Sequence, residues 1–227
     1  MRSLVFLALG LTACSSVTRN DSIADGWQDD FATRLKAQAL LQTFNADLLS
    51  HPSATLTLER WCGLHHLASE ARITAHLLRD VEKVPTAEQR RDLKVDADEP
   101  IKYRRVQLFC GQHILSEADN WYVPARLTTA MNLQLEGSDT PFGRAVKDLN
   151  FRRETIAASV LWSALPEGWE MQPVPTGAHG KLDIPPHVLE HRAILYTQDN
   201  LPFSEVVETY TRDIFSFRLT PPTKPAR

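Results

Sequence analysis

Three features of this chain could hold a small anion. On the run 203–207, Phe203, Glu205 and Val207 share one strand face, while Ser204, Val206, Glu208 and Tyr210 share the other. A carboxylate between Phe203 and Val207 therefore sits on the face that looks apolar. There it needs a cation partner, or it becomes neutral. Arg105 shares a face with Tyr103, Gln107 and Phe109, and its guanidinium could grip a carboxylate bidentately. Thr140, Pro141, Phe142 and Gly143 form a turn ahead of a helix, where backbone N–H groups can receive an anion. Each feature also has a plainer reading: an edge strand wet on both faces, a surface arginine, an ordinary helix start.

Other candidates carry less. Arg152, Arg153 and Glu154 read as a solvated strand face, and His65 and His66 as a half-exposed helix surface. Trp61, Trp121 and Trp162 read as core. Ser116, Ser159 and Ser204 lie mid-strand without a G-x-S-x-G elbow, so a Ser-His-Asp set has no support. The eight His residues show no HExxH spacing, and neither GxGxxG nor a P-loop occurs. No metal site is expected.

The elements that must position these residues follow from periodicity. Asp29 and Asp30 start a helix that runs to about residue 49, with Phe31, Leu35, Leu41, Phe44 and Leu48 on one arc. Ser53 caps a second helix, running to about residue 67. Residues 71–81 predict a strand and 85–100 a charged loop. Residues 104–110 and 114–123 predict a hairpin about Gly111 and Gln112, closed by Pro124. A helix over 128–136, a helical piece over 144–149, a strand over 151–162 and a long loop over 166–186 follow. A second hairpin covers 188–210. Strands joined by hairpins, with helices on one side, make an α+β fold with an antiparallel sheet. The hairpins echo each other: Arg105 precedes Ser116-Glu117 much as Arg192 precedes Ser204-Glu205. That spacing suggests two related hairpins meeting about a pseudo-two-fold.

The chain has 227 residues, enough to bury a core without staples. Its 25 Lys and Arg against 28 Asp and Glu give a net charge of -3, which leaves no footprint for nucleic acid. Three cysteines exclude a disulfide scaffold. No apolar run reaches the length of a membrane span. Yet Arg2, the apolar stretch 4–11 and Leu11-Thr12-Ala13-Cys14 have the order of a secretory signal. The Cys after Leu-Thr-Ala resembles the lipobox of bacterial lipoproteins. That resemblance implies cleavage before Cys14, acylation of Cys14, and an envelope protein held to the membrane, with Ser15 resembling the outer-membrane-sorted class. The expected layout is a signal over 1–13, a tether over 14–27, a domain over 28–218 and a disordered tail over 219–227. Cys62 and Cys110 could then pair, but two unpaired buried thiols are the expected state.

From about residue 53 to 215 the chain resembles the chorismate pyruvate-lyase family and its relatives, among them ligand-sensing domains of transcription regulators. The residues that carry this, in order, are Leu58-Glu-Arg-Trp61, Ile73 to Arg79, Tyr103 to Cys110 and Tyr122-Val-Pro124. Thr140-Pro-Phe-Gly-Arg144, Phe151-Arg-Arg-Glu-Thr155 and the closing hairpin follow. The resemblance implies a chorismate lyase-like fold, a small aromatic carboxylate as ligand, elimination of pyruvate from chorismate, and no cofactor. It implies Arg105 and the Phe142 N–H for the ligand carboxylate and Glu205 for its hydroxyl. Their expected place is a dry pocket between sheet and helices, with Arg105 and Glu205 facing each other across it. Asn120 stands where the family has a second Arg, and a shorter turn before Glu205 makes Glu208 its rival. A binding module for a small carboxylate or a partner protein, without catalysis, is the second reading.

Overall fold

In a computed structural model, residues 27–174, 180–217 and 219 are described. The signal, Cys14, the tether up to residue 26 and the tail from residue 220 lie outside the described residues. Trp27, assigned to the tether, is a core residue. It is 1% exposed, and its indole N–H donates to the carbonyl of Phe215 at 2.9 Å.

Helix α1 (Phe31–Ser50) starts where the Asp30 carboxylate accepts from the Thr33 N–H at 2.8 Å. Ala37, Leu41, Phe44 and Leu48 recur every three or four residues and form its buried stripe. Pro52 prevents continuation. Ser53 then caps α2 (Ala54–Leu64), whose Trp61 packs on Phe44 with ring centres 4.8 Å apart. Strand β1 (Ile73–Leu78) leads to α3 (Ala87–Asp92), within the stretch expected to be a loop. Its signal was the capping box: Thr86 and Gln89 exchange side-chain and backbone hydrogen bonds. With no apolar stripe, so short and charged a helix leaves no periodic trace.

Strands β2 (Lys102–Cys110) and β3 (His113–Tyr122) form the first hairpin. Helices α4 (Thr129–Gly137) and α5 (Phe142–Ala145) lead to β4 (Arg152–Val160), then β5 (His187–Tyr196) and β6 (Pro202–Thr211). One six-stranded antiparallel sheet results, in the order β1-β2-β3-β6-β5-β4. Two three-stranded meanders thus meet antiparallel at β3 and β6. The seam has the expected symmetry: Ser116 faces Tyr210, and Ser204 faces Tyr122. The main core packs α1 and α2 on the sheet, as where Phe44 meets Tyr210 at 5.3 Å. The α5 ring of Phe142 packs on Tyr122. The short α3 lies on the opposite face, with Leu93 just beyond it clustering with Trp121 and Val207.

The open edge of β1 is capped rather than left to recruit a strand. Its outward N–H groups donate to the Glu59 carboxylate (Ile73, 3.1 Å), the Asp139 carbonyl (Ala75, 3.2 Å) and the Asp139 carboxylate (Leu77, 3.4 Å). Cys62 and Cys110 correct the expectation of two free thiols. They form a disulfide joining α2 to the end of β2. Helix packing brings the pair together, and no sequence pattern encodes that approach. The bridge spans 48 residues, and closing such a loop in the unfolded chain is worth about 4 kcal/mol. Replacing both cysteines by alanine should lower the denaturation free energy by a comparable amount, measured by chemical unfolding. A loss below about 1 kcal/mol would mean the bridge does little for stability.

A buried ion pair beneath α2 and α5

The helix-covered face of the sheet holds an ion pair that the sequence reading placed in solvent. Arg153 on β4 and Glu208 on β6 meet at 2.6 Å, with side chains 5% and 8% exposed. Arg153 was read as a wet strand residue. Strand alternation could not tell which of Arg152 and Arg153 points inward, though Phe151 shares parity with Arg153. The Tyr210 hydroxyl donates to the same Glu208 oxygen at 3.2 Å. Burial and the Glu208 charge push the Tyr210 pKa well up, so the phenol keeps its proton. Burial pulls against the charge on Arg153 while Glu208 and Tyr210 favour it, and its pKa ends above the usual value. Arg153 Nε and Nη2 are buried with no hydrogen-bond partner.

His191 completes the cluster. It is fully buried, and its Nε2 lies 2.8 Å from the Asn45 Oδ1. Burial first, and then the Arg153 charge, lower its pKa to about 4, against a smaller opposing pull from Glu208.

Beside the pair lies a cavity of about 40 Å³. Asn120, Val206, Glu208 and Arg153 line it on the sheet side, and the first turns of α2 and α5 roof it, including Thr55, Phe142 and Gly143. Such a space admits a few water-sized groups or a carboxylate, not an aromatic ring. A pocket between sheet and helices was the expectation, and two of the expected residues, Asn120 and Phe142, are on it.

Arg105 and Glu205 are not, and they do not face each other across a pocket. Arg105 binds Glu117 at 3.3 Å and lies 3.6 Å from Asp119 on its neighbouring strand. Glu205, fully buried, pairs with Arg192 at 2.7 Å. Burial raises the Glu205 pKa, and the Arg192 bond opposes it. The buried carboxylate did need a cation, but the cation is Arg192. The pseudo-two-fold gives the reason: Arg105 with Glu117 and Arg192 with Glu205 are equivalent pairs, one in each meander. Arg192 also holds Glu88 at 3.0 Å and Asp92 at 3.1 Å, which ties α3 down. Phe203 departs from its expected face as well. It packs on Phe142 and Phe151, near a register shift between Leu195 and Tyr196.

The features so far define an α+β protein whose six-stranded antiparallel sheet buries an ion pair beside a small cavity. No protein-family model matches the chain. Over 193 residues it is 51% identical to the uncharacterized protein y4mC of Sinorhizobium fredii, covering 84% of this chain and 81% of that one. The chain belongs to the same family as that protein. Among solved structures it is similar to PhnF from Mycobacterium smegmatis, with 13% identity, 78% of this chain and 71% of that chain covered, and a TM-score of 0.49. Similarity to the effector binding domain of the B. subtilis trehalose repressor covers 68% of this chain and 99% of that one, at 12% identity and a TM-score of 0.36. The chain spans 62% of the length of the transcriptional regulator YydK from Bacillus subtilis, with 66% of this chain covered, 15% identity and a TM-score of 0.39.

The His191 shift makes stability depend on pH. The folded pKa lies below the unfolded value, so unfolding takes up a proton between them, and stability falls as pH drops from about 6.5 towards 4. By pH 5 the loss from this group should be on the order of 2 kcal/mol. Chemical denaturation at both pH values checks this. His191→Gln should lose less than the parent over the same interval, and an equal loss in both would assign the effect elsewhere.

Proposed function

We propose that this protein is a binding module for a small carboxylate, built on a chorismate lyase-like fold and working without catalysis. The observation that carries the reading is Arg153: a buried cation with two unpartnered donors on a cavity it shares with the Asn120 amide. A ligand carboxylate would take the unused donors, and Asn120 would supply a neutral hydrogen bond. A small aromatic carboxylate fits these contacts if its ring passes between the first turns of α2 and α5.

Elimination of pyruvate from chorismate is the less favoured reading. Chorismate carries two carboxylates, whereas the cavity offers one cation already balanced by Glu208. Asn120, where the resembled family has an arginine, removes the charge that would stabilise a developing anion. In a thermal-denaturation series on the full chain, 4-hydroxybenzoate should raise the melting temperature, with the rise growing as the logarithm of concentration above the dissociation constant. Asn120→Asp, which sets an anion beside the ligand carboxylate, should abolish the rise, and chorismate should yield no pyruvate. Pyruvate release would restore the lyase reading, and a flat melting temperature with every carboxylate tried would end the binding one.

The same reading places the protein in the bacterial envelope, lipid-anchored through Cys14 and facing the periplasm. Its supports are the order of charge, apolar run and Leu-Thr-Ala before Cys14, and the Cys62–Cys110 bridge, which suits an oxidising compartment. Metabolic labelling with a palmitate analogue should mark the intact chain and not Cys14→Ala. Equal labelling of both would remove the anchor.

A further inference from the structure

A second, larger hollow lies where the sheet runs out of strands. β1 makes its last pair between Leu78 and Arg105, so the start of β2 is left without a neighbour on that side. A groove of about 570 Å³ opens there, between the 79–85 segment and the end of α4. Its volume is in the range of about 300–1,000 Å³ typical of small-molecule sites. Leu77, Leu78, Val84, Ile101 and Leu135 give it an apolar length.

Its charge runs against that of the whole chain. Five cations line it (Arg79, Lys83, Lys102, Arg104 and Arg105) against the two acids Glu82 and Glu136, a local excess of three in a chain of net charge -3. Three of the cations are matched: Lys102 binds Glu136, Lys83 binds Asp119, and Arg105 binds Glu117. The other two are not. Among the described residues, no carboxylate lies within 4 Å of Arg79 or Arg104. Arg104 is 3% exposed and pinned by backbone carbonyls, of Leu135 at 3.0 Å and Thr140 at 2.8 Å, while its Nη1 has no partner. Arg79 reaches only the Glu136 carbonyl, at 3.0 Å. The two guanidiniums also feel each other. Burial, and then the Arg79 charge, pull the Arg104 pKa down to about 10, against Tyr122 and Asp139, so it remains charged at neutral pH. Two unmatched cations beside an apolar wall want one ligand that neutralises and covers them together.

We propose that this groove binds an organic anion with an apolar chain, its carboxylate held between Arg79 and Arg104 and its chain laid along Leu77, Ile101 and Val84. The site is separate from the Arg153 cavity and does not depend on it.

Octanoate is a suitable probe, with binding to the full chain measured by calorimetry. Saturable binding is expected. Arg79→Gln should weaken it about tenfold, the worth of one charge-assisted contact. Val84→Asp, at a side chain that is 83% exposed and so safe for folding, should weaken it as well. Octan-1-ol should bind far less tightly. The proposal is overturned by an absence of saturable binding, by equal affinity for the alcohol, or by an unchanged affinity in Arg79→Gln.

Discussion

The antiparallel seam between β3 and β6 is the constraint on which the rest of the molecule depends. It joins two meanders that could each form a sheet but not a core. The seam sets one register, and the register sets every face. Asn120 lies opposite Val206, and Ala118 opposite Glu208, so these four residues meet on the floor of the cavity. A slip of one residue would turn Glu208 to the other face and strand Arg153 in the core without its partner. Removing one member of such a pair costs more than the pair itself contributes.

The same seam separates the ionic pairs. On the α3 side, Arg105 with Glu117 and Arg192 with Glu205 stand in equivalent places, each pair within its own meander. On the α1 side the equivalence breaks: Glu208 occupies the place that Asn120 holds in the other half. An anion and a neutral amide at matched positions make an asymmetric floor, and Arg153 approaches only the acidic half. Symmetry accounts for the scaffold, and its breaking accounts for the site.

Much of this was legible in the residues. The acidic start at Asp29 and Asp30, the cap at Ser53, the apolar stripe of α1 and the two hairpin turns led directly to the elements observed. The echo between hairpins foretold the palindromic strand order. Asn120 and Phe142, taken from a family resemblance, do line the cavity. The expectation that Arg105 and Glu205 face each other across a pocket did not survive, because sequence places residues on faces of their own strand and says nothing about which neighbour arrives first. Arg153 was misjudged for a related reason. In the run Arg152-Arg153-Glu154 the charges hide the alternation, and only the packing of Phe151 beneath α5 shows which arginine turns inward.

The sequence by itself determined most of the elements and the antiparallel class of the sheet, because these rest on local periodicity, capping and turn chemistry, which the short, charged α3 lacks apart from its cap. Only the tertiary structure decided the partners: Cys62 with Cys110, Arg192 with Glu205, and Arg153 with Glu208. Each of these joins residues far apart in the chain, and their meeting depends on strand order and helix packing. Those are properties of the assembled core, where a buried charge or thiol takes whichever partner the register brings within reach.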